Sequence, residues 1–369
     1  VAVMAPTEIL ARQHYNLAQK IFPSKISTKL ISGKSNYKEK KTTLNELINN
    51  KINIIFGTHA IFQKKVKFKK LGLIIIDEQH KFGVNQRKRL SDKGGNDCDV
   101  LLMTATPIPR TLTMTIYGDM DLSIIKEKPK NRKMIKTYSK LESKIDDVIK
   151  FIKKEINFGN QIFWVCPLIE ESKKLDHTSA IKKFEYLKKL FPGQVSILHG
   201  KTDINEKEKI LKKFLNKDLQ ILISTTIIEV GINFPDANII IIEDSNKFGL
   251  SQLHQLRGRV GRGKSESYCI MLYKKNISEN AKKRLKILKK TNDGFLIAEE
   301  DLKIRGHGDI LGYQQSGIKN FRFADPIHHK DLFILAEKEL NKINTDSFSK
   351  FDKLLKFYDK AEIINDIKR

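Results

Sequence analysis

The chain has 369 residues, 40% hydrophobic and 30% charged, enough for two domains that each bury a core. This composition excludes a disordered tail and a small stapled scaffold, and no apolar run approaches the roughly 20 residues of a membrane span. A net charge of +26 points to a polyanion, most simply nucleic acid, although 57 of the 69 basic residues are lysine and the excess is spread over the chain.

Val1–Ala5 reads as a strand. The sequence opens inside it, without Met or a leader, so a fragment of a longer protein is expected. Thr7–Phe22 follows with helical spacing, placing Ile9, Leu10, Leu17, Ala18, Ile21 and Phe22 on one side. Further apolar runs come at 52–56, 71–76 and 100–103, rich in Ile, Val and Leu and without polar alternation. That is the pattern of parallel strands covered on both faces.

The run at 71–76 ends in Asp77 and Glu78. Ligands bind at strand C-termini of parallel sheets, where an Asp can hold Mg²⁺ and a neighbouring Glu can polarise a water for attack on phosphate. The next strand ends in Thr104-Ala105-Thr106, followed by Pro107 and Pro109. The alternation of strand and helix pauses over Gly118–Tyr138, a polar stretch taken as the boundary between residues 1–130 and 131–290.

Apolar runs resume at 161–165, 195–198, 219–223, 239–242 and 268–273, with an amphipathic helix expected over Ile204–Asn216 on Ile210, Leu211, Phe214 and Leu215. Trp164 and Cys166 read as core. Cys98, Cys166 and Cys269 lie too far apart to share a metal, and three thiols cannot all pair, so a reduced, cytoplasmic setting is expected.

Gln255–Gly263 sets Arg257, Arg259 and Arg262 among glycines. In a chain with about five lysines per arginine, three arginines in six residues suggest guanidinium forks aimed at phosphate. Arg87, Arg110 and Arg305 also fall in motif-like segments. Gly258–Ser265 fits the phosphate-loop pattern letter for letter, but that loop needs a strand before it and a helix after it, and the expected order here is the reverse. After about Lys290 the strands stop: residues 291–369 are expected to hold a helical hairpin and a helical appendage over Lys330–Arg369. His328-His329 has no third ligand nearby and reads as solvated.

Together these segments resemble superfamily 2 helicases almost end to end. Their longer strings, Asp77–Arg87, Thr104–Thr111, Phe248–Gly263 and Asp293–Gly317, resemble the RecG family of branched-DNA translocases. The resemblance implies two RecA-like α/β domains, the first truncated at its N-terminus before a wedge domain and a phosphate-loop lysine. It implies ATP and Mg²⁺ as cofactors, with Asp77 on the metal, Glu78 on the attacking water, and Gln255, Gly231, Arg259 and Arg262 at the nucleotide. Pro6, Thr7, Gly57, Thr58, Thr225 and Thr226 are the implied contacts to DNA phosphates, and Thr104, Thr106, Arg305 and Gln315 the residues that couple hydrolysis to movement. His307 stands where the family usually has proline, in the expected hairpin loop. The implied partners are forks and Holliday junctions and a single-strand DNA-binding protein. No membrane partner is implied, and the protein is expected to be a monomer at the nucleoid. Alternatives are the motor of a transcription-repair coupling factor, an RNA helicase, and a DNA-binding remnant without catalysis.

Overall fold

The apolar runs fold as parallel strands. The computed structural model describes residues 1–33, 36–63, 65–78, 93, 95, 98–105, 121–125, 127, 133–167, 173–199, 202–225, 234, 236–263, 265–310, 329–340 and 342. The chain divides into two compact units, Val1–Pro107 with Ile124–Gly306 and Ile108–Ser123 with His307–Arg369. Helix α9 (Lys330–Leu340) is the main described element of the second.

The first unit carries two sheets, all of whose strand pairs are parallel. One consists of β1 (Ala2–Met4), β2 (Thr28–Ile31), β3 (Ile54–Gly57), β4 (Leu73–Ile76) and β5 (Asp99–Leu102), in the order β2-β3-β1-β4-β5, with helices α1 (Glu8–Ile21) and α2 (Tyr37–Ile48) in its crossovers. The other consists of β6 (Ile135–Leu141), β7 (Gln161–Val165), β8 (Val195–Leu198), β9 (Ile221–Ser224), β10 (Ala237–Ile242) and β11 (Ser267–Tyr273), in the order β6-β11-β10-β7-β9-β8. Its helices are α3 (Ile145–Asn157), α4 (Lys173–Leu190), α5 (Ile204–Leu215), α6 (Leu250–Arg257) and α7 (Glu279–Lys290), followed by α8 (Gly294–Ile310).

The second sheet explains why its strands lack polar alternation. Ile162 and Trp164 of β7, with Ile239 and Ile241 of β10, enter the core on one face. Phe163, Val165, Ile240 and Ile242 enter the core on the other, so every position is buried. There Phe163, Phe214 and Phe234 form an aromatic cluster with centroids 5.3–5.5 Å apart. Across the unit, Ile9 of α1 packs against this same core.

Three expectations are corrected. β6 begins inside the stretch read as a pause, because it is an edge strand whose Lys136 and Tyr138 face solvent. β2, another edge, carried too short an apolar signal to be read. The apolar stripes of α1 and α5 are also wider than the surfaces they cover: Leu10, Ala18, Leu211 and Phe214 are buried, while Leu17, Ile21, Phe22 and Leu215 remain exposed.

Candidate nucleotide and nucleic-acid site

β4 delivers the acid pair. The Asp77 amide still donates to the Met4 carbonyl at 2.9 Å, so Asp77 is fixed by the ladder. The chain then breaks: Glu78 is left-handed, with φ +51°, a conformation that costs a residue with a Cβ on the order of 1–3 kcal/mol. This turn lets the Glu78 amide donate to Asp77 Oδ1 at 2.9 Å, while Glu78 Oε2 accepts from the Ala105 amide at 3.3 Å. The acid pair is thereby tied to the Thr104-Ala105 segment beyond β5. Asp77 Oδ2 faces His14 Nε2 of α1 at 3.0 Å.

The second sheet supplies the arginines, and the structure separates the three. Arg257, the last residue of α6, is 2% exposed and turned inward. Its Nη1 donates to the carbonyls of Leu288 and Thr291 at 2.7 and 2.8 Å, and its Nη2 lies 3.0 Å from His254 Nδ1. Burial pushes the nearby Cys269 thiol up to about 12, with the Arg257 guanidinium pulling the other way. The reading of all three arginines as phosphate ligands is therefore corrected: Arg257 clamps the C-terminus of α7, whose last carbonyls have no partner within the helix.

Arg259 is different. It is 9% exposed, and its Nε is buried without a hydrogen-bond partner. Burial, and then the like charge of Arg262, hold its guanidinium below the ordinary value, while Glu78 acts in the opposite sense. A buried guanidinium with an orphaned donor, a second arginine beside it and a carboxylate across from it suits an anion, which would satisfy that donor and relieve the repulsion. Arg262 is exposed and Gln255 half-buried. The positive φ of Gly261 (+77°), and the 3.0 Å that a Cβ there would leave to Ile135, explain the glycine between the two arginines. Asp77 suits a hard cation, since each oxygen has one donor and keeps a second lone pair.

Of the expected phosphate contacts, Thr7 is the N-cap of α1, its Oγ1 accepting from the Leu10 amide at 3.3 Å. Its hydroxyl hydrogen remains to donate at a helix N-terminus, beside Pro6. Thr58 caps a short 3₁₀ turn without using its side chain. Gly57 has a packing reason of its own, because a Cβ there would lie 2.5 Å from the Ile31 carbonyl. Thr225, just past β9, is buried, and its amide donates to the Leu198 carbonyl at 3.3 Å. Thr226, Gly231, Thr106 and Gln315, with Arg87 and Arg110, lie outside the described residues.

The hairpin segment begins where Asp293 Oδ1 accepts from the Phe295 and Leu296 amides at 2.8 and 3.4 Å, capping α8. Ile297 enters the core of the second sheet, and the buried Asp301 accepts from Ser251 Oγ of α6 at 2.5 Å. Helix α6, which leads to Arg259, is thus joined to α7 by Arg257 and to α8 by Ser251. Neither link was foreseen from sequence, where Ser251 and Asp301 resemble ordinary helix-surface residues. Arg305 lies in α8, and its side chain is outside the described residues. His307 lies inside α8 rather than in a loop. The phosphate-loop pattern at 258–265 follows helix α6 and precedes strand β11, the wrong order for such a loop. Trp164 and Cys166 are fully buried, as expected. No group of metal-binding side chains occurs among the described residues, where His329 is found and His328 is not.

Comparison with known proteins gives the same order of parts. The DEAD/DEAH box helicase family matches residues 1–115, the helicase conserved C-terminal domain residues 143–264, and the C-terminal part of domain 3 of ATP-dependent DNA helicase RecG residues 291–350. The ATP-dependent DNA helicase RecG of Bacillus subtilis is 46% identical over 353 residues, covering 95% of this chain and 52% of that protein. The Aquifex aeolicus RecG is 46% identical over 378 residues, covering 98% and 48%. A structure of RecG bound to a three-way DNA junction aligns with TM-score 0.68 and 40% identity over 90% of this chain and 43% of that one. The chain spans about half the length of the curated relatives it matches. With its two RecA-like parallel sheets and helix α8 beyond them, the chain is similar to RecG over nearly all of its own length and about half of each relative's.

Proposed function

We propose that the protein is an ATP-dependent helicase and translocase of branched DNA, acting at forks and Holliday junctions in repair and recombination. The observation that carries this is that Glu78, from one sheet, lies near enough to Arg259, from the other, to act electrostatically on its buried guanidinium within one compact unit. Such a site needs no second copy of the chain, which supports a monomer.

In this reading residues 1–130 and 131–290 are the two motor domains. Asp77 would hold Mg²⁺, which would neutralise charge on the phosphates. Glu78 orients the attacking water. Arg259 and Arg262 stabilise the charge that develops on the transferred phosphoryl group, and Gln255 and Gly231 contact the nucleotide. Pro6, Thr7, Gly57, Thr58, Thr225 and Thr226 grip backbone phosphates, contacts that carry no sequence information, so substrate is chosen by shape. Glu78, through its bond from Ala105, shares the Thr104–Thr106 segment with the DNA-coupling machinery. The bonds from α6 to α7 and α8 support a route from the arginines into α8, the helix that carries Arg305. The junction-bound RecG structure supports branched DNA as substrate. Three free cysteines and the absence, among the described residues, of a helix able to cross a membrane agree with work in the cytoplasm at the nucleoid.

The test is ATP hydrolysis by the full-length protein with forked DNA, linear duplex DNA and duplex RNA in parallel. Strong stimulation by the fork is expected; stimulation by RNA alone would replace this reading with an RNA helicase.

A further inference from the structure

We propose that His14 is a positioning residue that fixes the Asp77 carboxylate for its cation and ties it to the DNA-facing end of α1. This rests on the ATPase reading above. Both Asp77 oxygens already have donors: the Glu78 amide on Oδ1 at 2.9 Å and His14 Nε2 on Oδ2 at 3.0 Å. A carboxylate can only accept, so Nε2 carries the hydrogen. Both donors are held in place. The Glu78 amide is locked by the left-handed turn. His14 rides on α1, which is anchored by buried Leu10, Ala11 and Ala18 and by an edge-to-face contact of Tyr15 with Phe56, centroids 6.0 Å apart. The plane of the carboxylate is therefore set before any cation arrives, and each oxygen keeps a lone pair for one.

The same helix starts at the Thr7 cap, seven residues before His14. Seven residues are two turns, so Thr7 and His14 share one side of α1, about 10.5 Å apart along its axis. A helix drawn toward a DNA phosphate at its N-terminus moves the imidazole with it, and the imidazole moves the carboxylate. The bland alternative is an ion pair that merely docks α1 on the sheet: His14 and Asp77 are 30% and 20% exposed, and a pair that accessible contributes little. The two readings differ in what they predict for the cation. Outer-sphere partners that orient a metal ligand change metal affinity by about 10–100-fold when removed. A docking pair changes only melting.

The experiment uses the full-length protein with a non-hydrolysable ATP analogue and follows Mn²⁺ binding by electron paramagnetic resonance, with and without forked DNA, alongside thermal melting. His14→Ala is expected to weaken Mn²⁺ binding about tenfold and to abolish the change in Mn²⁺ affinity that DNA produces in the unsubstituted protein. His14→Gln, whose amide N–H can reach the same oxygen, is expected to recover most of both. The proposal is overturned if His14→Ala binds Mn²⁺ as the unsubstituted protein does. It is equally overturned if His14→Gln is as impaired as His14→Ala although both melt normally, or if the loss follows a fall in melting temperature. If the unsubstituted protein itself shows no nucleotide-dependent Mn²⁺ site, the ATPase reading has failed, and that result is distinguishable from the others.

Discussion

Arg257 and Arg259 stand two residues apart in the same motif, and the structure gives them opposite effects on stability. Replacing Arg257 by Met strands the carbonyls of Leu288 and Thr291, which have it as a donor at 2.7 and 2.8 Å. At about 1–3 kcal/mol per stranded group, less the relief of no longer burying a guanidinium, the net loss is about 3 kcal/mol. Replacing Arg259 by Met removes a donor that has no partner at Nε and a charge that Arg262 repels. With the Glu78 attraction forfeited in exchange, the expected gain is about 1 kcal/mol. At about 2–4 °C per kcal/mol, scanning calorimetry of the full-length protein should show Arg257→Met melting about 6–12 °C lower and Arg259→Met about 2–4 °C higher. Yet Arg259→Met should lose about 10³–10⁵ in DNA-stimulated hydrolysis, the scale of an arginine that stabilises phosphoryl-transfer charge. A stabilised but inactive variant marks a residue kept for function at the expense of the fold. If Arg259→Met melts as low as Arg257→Met, Arg259 is another structural clamp and its role at the nucleotide is wrong.

Other outcomes follow from single contacts. Gly57→Ala forces a Cβ to 2.5 Å from the Ile31 carbonyl and should destabilise by about 1–3 kcal/mol; a variant melting normally would show that β2 and β3 can part. Asp301→Ala breaks the bond from Ser251 and should separate hydrolysis from movement, leaving ATPase largely in place while fork unwinding falls; equal losses in both assays would contradict the link. Burial holds the thiols of Cys166 and Cys269 protonated, the second up to about 12, so neither should react with iodoacetamide at pH 8 until the protein is unfolded, as read by mass spectrometry.

What could be read from sequence follows from burial. β7 and β10 were legible because both faces are covered and their runs 162–165 and 239–242 are wholly apolar, whereas the edge strands β2 and β6 carry polar residues that break up the run, Thr28 and Lys29 in one and Lys136, Thr137, Ser139 and Lys140 in the other. Among the candidate residues, Asp77, Glu78 and Arg259 stood out because an acid pair ending an apolar run and a scarce arginine among glycines are unusual combinations. Arg257 misled, since composition cannot tell an arginine aimed at solvent from one folded onto backbone carbonyls 31 and 34 residues away. His14 and Asp301 were silent for the same reason: their partners, Asp77 and Ser251, are 63 and 50 residues distant. The spacing of Thr7 and His14 on one side of α1 was the available signal for the first. The left-handed turn at Glu78 left no trace either, because strain of that kind is held by the surrounding ladder and not by the residue itself.

The central claim is that Glu78 and Arg259, from different sheets, act on the same reacting phosphate. A double-mutant cycle on DNA-stimulated ATP hydrolysis by the full-length protein, using Glu78→Gln and Arg259→Met, tests it most directly. Residues acting as one unit are strongly non-additive, so each single variant should lose about 10³ or more and the double little beyond the worse single. Losses that multiply, or a Glu78→Gln enzyme that hydrolyses ATP at the unsubstituted rate, would contradict the account.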